Sequence, residues 1–127
     1  MREILFKGKF GDKWKYGYLT IAPQSLAIKE PYACNTTTIW CVAPETVGQY
    51  TGLKDKNGTK IFEGDILEFI DGNNEVSYYE VVYSEANCRW IIRQYEGATD
   101  DLDDFVEKYM TVVGNIYDNP KLLELEV

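Results

Sequence analysis

The polar side chains best suited to binding a ligand lie in one glycine-rich block, PETVGQYTGLKDKNGTKIFEGDIL, residues 44–67. Loops held on a rigid scaffold often carry binding residues, and amide, hydroxyl and carboxylate groups together can form a hydrogen-bonding surface. The sequence therefore predicts a candidate interaction surface made of Gln49, Tyr50, Thr51, Asp55 and Asn57.

A second interpretation treats the same block as scaffold, and we favour it. Glycine adopts positive φ without steric cost, so glycines can shape this backbone while apolar side chains anchor it to a core. The glycines are Gly48, Gly52, Gly58 and Gly64, and the apolar residues are Tyr50, Leu53, Ile61 and Phe62. The side chains that this interpretation explains least well are Gln49 and Thr51.

Two acidic stretches resemble metal sites, but their match to known ligand spacings is weak. DKNGTKIFEGD looks like a calcium loop, but counting from Asp55 puts Lys60 where a glycine is required and Ile66 where a glutamate is required. In DDLDD, residues 100–104, a helix could place Asp100, Asp103 and Asp104 on one face as metal ligands. Such a run is more often a solvated helix start, where carboxylates meet the positive end of the helix dipole. We therefore predict no metal and no cofactor.

The chain contains no histidine, which removes histidine-based nucleophilic catalysis, histidine general bases and histidine-ligated zinc. Its three cysteines, Cys34, Cys41 and Cys88, have the spacing of neither a disulfide framework nor a four-cysteine metal site. Neither a dinucleotide fingerprint nor a P-loop is present. We therefore predict a protein that is not an enzyme. A hydrolase that uses two carboxylates is the remaining alternative, since their spacing in space cannot be read from sequence.

Charge is distributed unevenly along the 127 residues. The net charge is −8 overall, with +3 in residues 1–30, −2 in residues 31–70 and −9 in residues 71–127. An acidic protein repels a phosphate backbone at long range, which argues against general nucleic-acid binding. The acidic part instead favours a basic protein partner, with mimicry of DNA as an alternative.

The basic N-terminal third contains cations interleaved with aromatic rings, an arrangement that can bind single-stranded nucleic acid. Its members are Lys7, Lys9, Lys13, Lys15, Trp14, Tyr16 and Tyr18. In KWKYGY, residues 13–18, strand alternation puts the lysines on the face opposite the aromatics. We therefore favour a hairpin whose aromatic face is core and whose lysines protect a sheet edge from aggregation. Nucleic acid is then an unfavoured partner.

The first residues, MREILFKGKF, lack the apolar run of a signal peptide. No stretch approaches the ~20 apolar residues of a membrane span. We therefore expect a cytoplasmic protein with free thiols and no membrane partner.

Short β-rich segments separated by turn signals must position these side chains, as in all-β sandwiches and barrels. A hairpin is expected around Gly11 and Asp12, and turns at 55–58, 63–65, 71–74 and 85–87. The further strands are SLAIKE (25–30), TTTIWCVA (36–43), ILEFI (66–70), EVSYYEVVYS (75–84), CRWIIRQY (88–95) and TVVGNIY (111–117). The three strands from 66 to 95 form an antiparallel meander, because their loops are short.

Three helical segments are expected. Pro44 suits the first turn of a short helix that Gly48 ends. TDDLDDFVEKYM, residues 99–110, has Thr99 as a cap and apolar residues at helical spacing. NPKLLEL, residues 119–125, is a short helical turn. The predicted fold class is mainly β: a small SH3-like barrel or pseudo-barrel with an N-terminal β-hairpin extension and one or two short helices.

Three blocks resemble the YopX family of phage and prophage proteins: REILFKGKF…WKYGYL near the N-terminus, the block at 44–67, and VVGNIYDNPKLLE at 112–124. The resemblance implies a β-rich, phage-encoded intracellular protein, and it supplies no reaction and no catalytic residues. It implies a single YopX-like β domain over residues 1–127, with the hairpin and extension in 1–43 and a barrel-like core in 44–127.

Together these observations predict a non-enzymatic protein that binds another protein of the host or the phage, or a second copy of itself. Nucleic-acid association through the basic hairpin is the alternative from a different class. DNA mimicry by the acidic half, which would occupy a DNA-binding protein, is a further alternative.

Overall fold

The structure is a computed structural model that describes residues 3–22, 25–29, 39–94 and 97–124. The chain divides into two compact units, Met1–Tyr50 and Thr51–Val127. Strands dominate both, so the predicted mainly β class is confirmed. The predicted SH3-like barrel is not confirmed, because each sheet has an open, linear strand order among the described residues. The single domain over 1–127, with parts 1–43 and 44–127, stays a prediction.

The first unit is built on the predicted hairpin. Its strands are β1 (Phe6–Phe10), β2 (Lys13–Ala22), β3 (Ser25–Lys29), β4 (Ile39–Cys41) and β5 (Ala43–Lys54), of which the last continues into the second unit. They are ordered β4-β3-β2-β1-β5, and the ladders are antiparallel. Gly11 sits in the hairpin turn at φ +63°, a conformation that glycine adopts without strain. Predicted strand residues 30 and 36–38 lie outside the described residues.

The helix predicted at Pro44 is wrong, because residues 43–54 form strand β5. Hydrogen bonding to β1 outweighs the local helix-start signal, with Lys7 opposite Gly48 and Lys9 opposite Ala43. The register shifts between these two pairs. Thr46 lies at that irregularity: its hydroxyl accepts a hydrogen bond from the Lys9 N–H (2.9 Å) and donates to the Ala43 carbonyl (2.6 Å).

The core of the first unit depends on a close approach of two strands. A Cβ added to Gly8 in β1 would lie 2.6 Å from Cγ2 of Val42, just after β4. Ala27 and Ile28 on β3 and Val42 itself are buried. Glycine at position 8 is therefore required by space and not by a special φ.

The second unit contains the other strands and both helices. Its elements are β6 (Lys60–Phe62), β7 (Asp65–Ile70), β8 (Val76–Ser84), β9 (Arg89–Arg93), β10 (Thr99–Asp101), α1 (Asp104–Tyr109), β11 (Met110–Asn115) and α2 (Lys121–Glu124). Strand β6 lies beside β5, and the remaining strands form an antiparallel sheet ordered β10-β9-β8-β7-β11. The predicted meander and its turns are confirmed. The helical turn expected at 119–125 is confirmed as α2, and residue 125 lies outside the described residues.

The core of the second unit joins one face of its sheet to the short helix. It comprises Ile61, Leu67, Val81, Ile92, Val106 and Met110, each almost fully buried. Removing such residues from water is the main favourable term in folding. Val106 anchors α1, which explains why this short helix forms although isolated helices of its length are unstable.

The helix predicted over residues 99–110 is wrong at its N-terminal half. Residues 99–101 form β10, which pairs with β9 and extends the sheet. The helix starts at Asp104, and Asp103 caps it by accepting a hydrogen bond from the Phe105 N–H (3.0 Å). Asp100, Asp103 and Asp104 therefore do not share a helix face, and Thr99 is not the cap.

The ladder between β11 and β7 is irregular at Gly114, and glycine inside a strand often marks such a site. The register with β7 shifts between Val112 and Gly114. A Cβ at Gly114 would come within 2.4 Å of the Asn119 side-chain oxygen, so only glycine fits beside the turn that leads to α2.

None of the helices in the described part of the chain is long and apolar enough to span a bilayer.

Candidate functional site

Three of the predicted interaction residues lie in a strand and not in a loop. Gln49, half-buried, is paired with Phe6 in the sheet. Tyr50 is buried, and its N–H donates to the Leu5 carbonyl (2.7 Å). Thr51 begins the second unit, where its hydroxyl donates to the Ile61 carbonyl (2.8 Å). Tyr50 and Thr51 are thus held by main-chain contacts that belong to the scaffold.

Asp55 organises the turn between β5 and β6. Its side chain is buried, and Oδ1 accepts hydrogen bonds from the N–H groups of Asn57 and Thr59, both at 2.9 Å. Oδ2 accepts from the N–H of Val112 in β11, also at 2.9 Å. The carboxylate therefore joins a local turn to a strand 57 residues away, which is a structural task.

Positive φ at three glycines of the 44–67 block explains much of its composition. Gly52, Gly58 and Gly64 have φ between +85° and +93°, whereas Gly48 has no positive φ. At Gly64 a Cβ would also lie 3.3 Å from the Tyr117 ring. The scaffold interpretation therefore holds for these three glycines, and Gly48 is explained by its position in the β1–β5 ladder.

Tyr50, Thr51 and Asp55 therefore make contacts that stabilise the fold. Asn57 is exposed in its turn, and Gln49 is half-buried in a strand. The unit boundary falls between Tyr50 and Thr51. A ligand for these five residues stays a prediction.

A cavity of about 340 Å³ in the second unit was not anticipated from the sequence. Apolar side chains form much of its wall, and the Phe69 and Phe105 rings meet edge to face with centroids 5.3 Å apart. The lining residues are Phe69, Tyr79, Ile92, Asp100, Asp101, Asp103, Phe105 and Met110. The cavity was missed because β10 was predicted as helix.

The aspartates of this cavity already have contacts within the fold. Asp101 pairs with Arg89 (2.9 Å), Asp103 caps α1, and Oδ1 of Asp100 accepts the N–H of Asp101 (2.9 Å). Within the described residues, no three His, Cys, Asp or Glu side chains are grouped so that they could hold a metal ion. The arrangement offers negative charge beside an apolar wall, which suits a cation with an apolar stem.

The aromatic face of β2 is where the sequence prediction fails most clearly. Tyr16 and Tyr18 are 48% and 52% exposed, so this face is not core in the way that was expected. Strand β2 lies between β1 and β3 and is not a sheet edge. The lysines within β2 do lie opposite these rings, as predicted, but lysines of the neighbouring strands lie on the same face as the rings. Lys9 is paired with Trp14, Lys7 with Tyr16, and Lys29 with Tyr18.

The opposite face of the hairpin carries a separate aromatic contact. The Lys15 amine lies 3.9 Å from the centroid of the Trp40 ring, and Phe10 meets that ring edge to face at 5.1 Å. Lys13 is exposed near the hairpin turn on this face. Lys15 thus contributes a cation–π contact to packing.

Two further observations concern single side chains. Arg93 meets Glu80 across the sheet at 3.1 Å, and Arg89 pairs with Asp101 at 2.9 Å. Cys41 and Cys88 are exposed free thiols, and Cys34 lies outside the described residues.

The family can be decided from a profile comparison. A model of the YopX protein family matches residues 11–124. The chain belongs to the YopX family. The match begins after REILFKGKF and covers strand β2 of the hairpin, the 44–67 block and the C-terminal block, so membership of the family that the motifs resemble is confirmed.

Solved structures share the YopX fold over nearly the whole chain. The crystal structure of protein EF1440 from Enterococcus faecalis has a TM-score of 0.57 and 22% identity, with 97% of this chain and 99% of that chain covered. The X-ray structure of yopX from Bacillus subtilis has a TM-score of 0.58 and 18% identity, with 97% of each chain covered. No curated protein matches the chain. At these identities the likeness establishes the YopX fold and does not extend to activity.

Proposed function

We propose that this YopX-family chain is a non-enzymatic protein of phage or prophage origin that acts in the cytoplasm by binding another protein. The observation that carries the proposal is the division of charge between the two units. Residues 51–127 contain seven basic and seventeen acidic residues, a net charge of −10, whereas residues 1–50 contain six and four, a net charge of +2. Concentrated charge of one sign accelerates association with a partner of opposite sign and selects for it.

Helix α1 is the part of the second unit best suited to such a partner. Phe105 and Tyr109 are exposed, and their rings lie 4.8 Å apart. Asp104 and Glu107 are exposed on the same helix, where the Lys108 amine lies 4.0 Å from the Asp104 carboxylate. Aromatic residues are enriched at protein interfaces, and the two carboxylates outnumber this one cation, which favours a basic partner of the host or the phage.

A binding role without catalysis is supported by the chemistry of the side chains. The chain has no histidine, and the cavity aspartates cap a helix or contact neighbouring groups. Carboxylates held by structural contacts are poorly placed to exchange protons with a substrate.

Affinity capture from host lysate with a matched pair of charge variants tests the proposal. Asp104→Asn with Glu107→Gln removes two negative charges from α1, and Glu75→Gln with Glu85→Gln removes two from turns of the same unit. We expect a defined protein partner that survives nuclease treatment and weakens with added salt. The α1 variant should lose it, and the turn variant should retain it.

Three outcomes would count against the proposal: no partner, a partner that disappears with nuclease, or equal losses in the two variants. Size-exclusion chromatography of each pure variant shows whether the partner is a second copy of the chain or a different protein. Self-association would change the elution volume of the pure protein.

A further inference from the structure

One face of the N-terminal hairpin sheet combines aromatic rings and cations in a regular register. Each aromatic residue of β2 on this face has a lysine directly across from it: Lys9 opposite Trp14, Lys7 opposite Tyr16, and Lys29 opposite Tyr18. Directly opposed residues of antiparallel strands lie on the same side of the sheet. We call Trp14, Tyr16, Tyr18, Lys7, Lys9 and Lys29 the lysine–aromatic face.

The members of this face divide into a supporting part and an accessible part. Lys7 is only 4% exposed, and its amine lies 4.6 Å from the centroid of the Trp14 ring. The Lys9 amine lies 5.8 Å from the same ring. The Trp14 ring thus forms cation–π contacts with Lys7 and Lys9. Tyr16 and Tyr18 instead expose about half of their surface to solvent.

We propose that the lysine–aromatic face binds single-stranded nucleic acid, with bases stacked on Tyr16 and Tyr18 and phosphates near Lys9 and Lys29. Every base has a π-face, so stacking on aromatic side chains tolerates any sequence, and neighbouring cations follow the backbone. This inference goes beyond the proposed protein partner, because it concerns another ligand and another unit.

The spacing of the two tyrosines favours a single strand over a duplex. Residues two apart on a strand are separated by roughly 6.6 Å. Successive bases of one strand in a duplex are about 3.4 Å apart. Two successive bases that stack on the two rings must therefore be splayed apart, which an unpaired strand allows and a duplex prevents.

The net charge of the first unit favours nucleic acid over a second copy of the chain as the ligand of this face. Residues 1–50 are net positive at +2, in contrast to the rest of the chain. Two copies of the face brought together would oppose lysine to lysine, and juxtaposed like charges cost free energy. A polyanion pairs with them instead, while repulsion from the acidic second unit limits the affinity. Release of counterions from the phosphates makes the binding weaker at high salt.

The test measures fluorescence anisotropy of a labelled oligothymidine of about 12 nucleotides, within the usual range of site sizes. With two phosphate contacts, the affinity should fall roughly 25-fold between about 20 mM and about 200 mM NaCl. Tyr16→Thr with Tyr18→Thr should weaken binding at least about 25-fold, about fivefold for each lost stacking contact. Tyr16→Phe with Tyr18→Phe keeps the rings and should retain binding, and Lys29→Glu should weaken it.

Controls lie on the other face of the same strand. Ile21→Thr changes the most exposed apolar residue of β2, and Lys13→Glu reverses an exposed charge near the hairpin turn. Neither should alter the affinity by more than about twofold, because these side chains point away from the lysine–aromatic face. Circular dichroism confirms that each variant is folded before its affinity is compared.

The proposal is overturned if no oligothymidine binds at low salt, if the threonine and phenylalanine pairs bind equally, or if the controls weaken binding as much as the test variants. It is also overturned if sedimentation velocity shows self-association that the threonine pair abolishes, since the face would then hold a second copy. Loss of oligothymidine binding would leave the α1 partner proposal unaffected, because that partner is defined as resistant to nuclease.

Discussion

At the scale of single residues, Asp55 has the most demanding position among the predicted interaction residues. Its buried carboxylate accepts three main-chain hydrogen bonds, two from its own turn and one from Val112. Hydrogen bonds to a charged acceptor are stronger than those between neutral groups, and a buried N–H that loses its acceptor is costly. The residue is therefore better explained by stability than by binding.

Asp55→Ala should lower the free energy of unfolding by about 3 kcal/mol, because three N–H groups lose their acceptor together. Asp71→Ala is the matched control: Oδ1 of Asp71 accepts the same kind of pair, from Asn73 and Glu75, in an exposed turn without the third bond. We expect a loss of about 1 kcal/mol there. Urea unfolding monitored by tryptophan fluorescence and far-UV circular dichroism measures both.

Equal losses for the two variants would contradict a special structural role for Asp55. Asp55→Asn should fall between wild type and Asp55→Ala, since it keeps one acceptor oxygen and places an amide donor against one N–H group.

At the scale of elements, strand pairing decides where local signals conflict. Residues 44–48 carry a helix-start signal and residues 99–101 an N-terminal helix signal, yet both segments complete ladders with β1 and β9 respectively. Main-chain hydrogen bonds to an existing strand satisfy groups that a short helix would leave unpaired at its ends. Both segments therefore pair as strands, each in its own sheet, and α1 begins only where Asp103 can cap it.

Gly8→Ala tests the close contact between β1 and the residue after β4. The added methyl would overlap Val42, so we expect a loss of about 1–3 kcal/mol in the free energy of unfolding. Adding Val42→Ala to Gly8→Ala should restore part of that loss, giving a coupling energy of about 1 kcal/mol in a double-mutant cycle. Denaturant unfolding of the four proteins of the cycle provides the values.

Gly72→Ala is the control for this cycle, since a Cβ there meets nothing within 4 Å and its φ is not positive. It should change stability by less than about 0.5 kcal/mol. If Gly8→Ala were as harmless as Gly72→Ala, steric contact with Val42 could not be the reason for glycine in β1.

At the scale of the whole molecule, uncompensated negative charge opposes the compact state. The net charge is −8, and the Arg89–Asp101 pair is largely exposed, as is the arginine of the Arg93–Glu80 pair. Exposed pairs contribute little to stability, whereas repulsion among many like charges accumulates and is reduced by salt.

We therefore expect the melting temperature to rise by a few degrees between about 20 mM and about 200 mM NaCl, as screening weakens repulsion. The rise should be smaller in the Glu75→Gln, Glu85→Gln variant, which carries two fewer negative charges. Differential scanning calorimetry at constant pH measures the change. A melting temperature that falls with salt would mean that attractive ion pairs dominate instead.

Much of the candidate chemistry could be predicted from the sequence, and its location could not. The absence of histidine, the uneven charge along the chain and the residues of the hairpin could all be read from the sequence. Alternation along β2 correctly separated Lys13 and Lys15 from the aromatics, but it says nothing about neighbouring strands. Lys9 and Lys29 reach the same face as the tyrosines only through the register of β1 and β3.

The sequence by itself determined the mainly β class, the turns and the meander, because turn chemistry and strand alternation are local properties. It also determined the YopX membership, because the family motifs are contiguous stretches of sequence. Only the tertiary structure decided that residues 43–54 and 99–101 are strands, that the sheets formed by the described residues are not closed, and that Asp55 reaches β11. Those outcomes depend on pairing between residues far apart in sequence, whose hydrogen bonds outweigh local propensity.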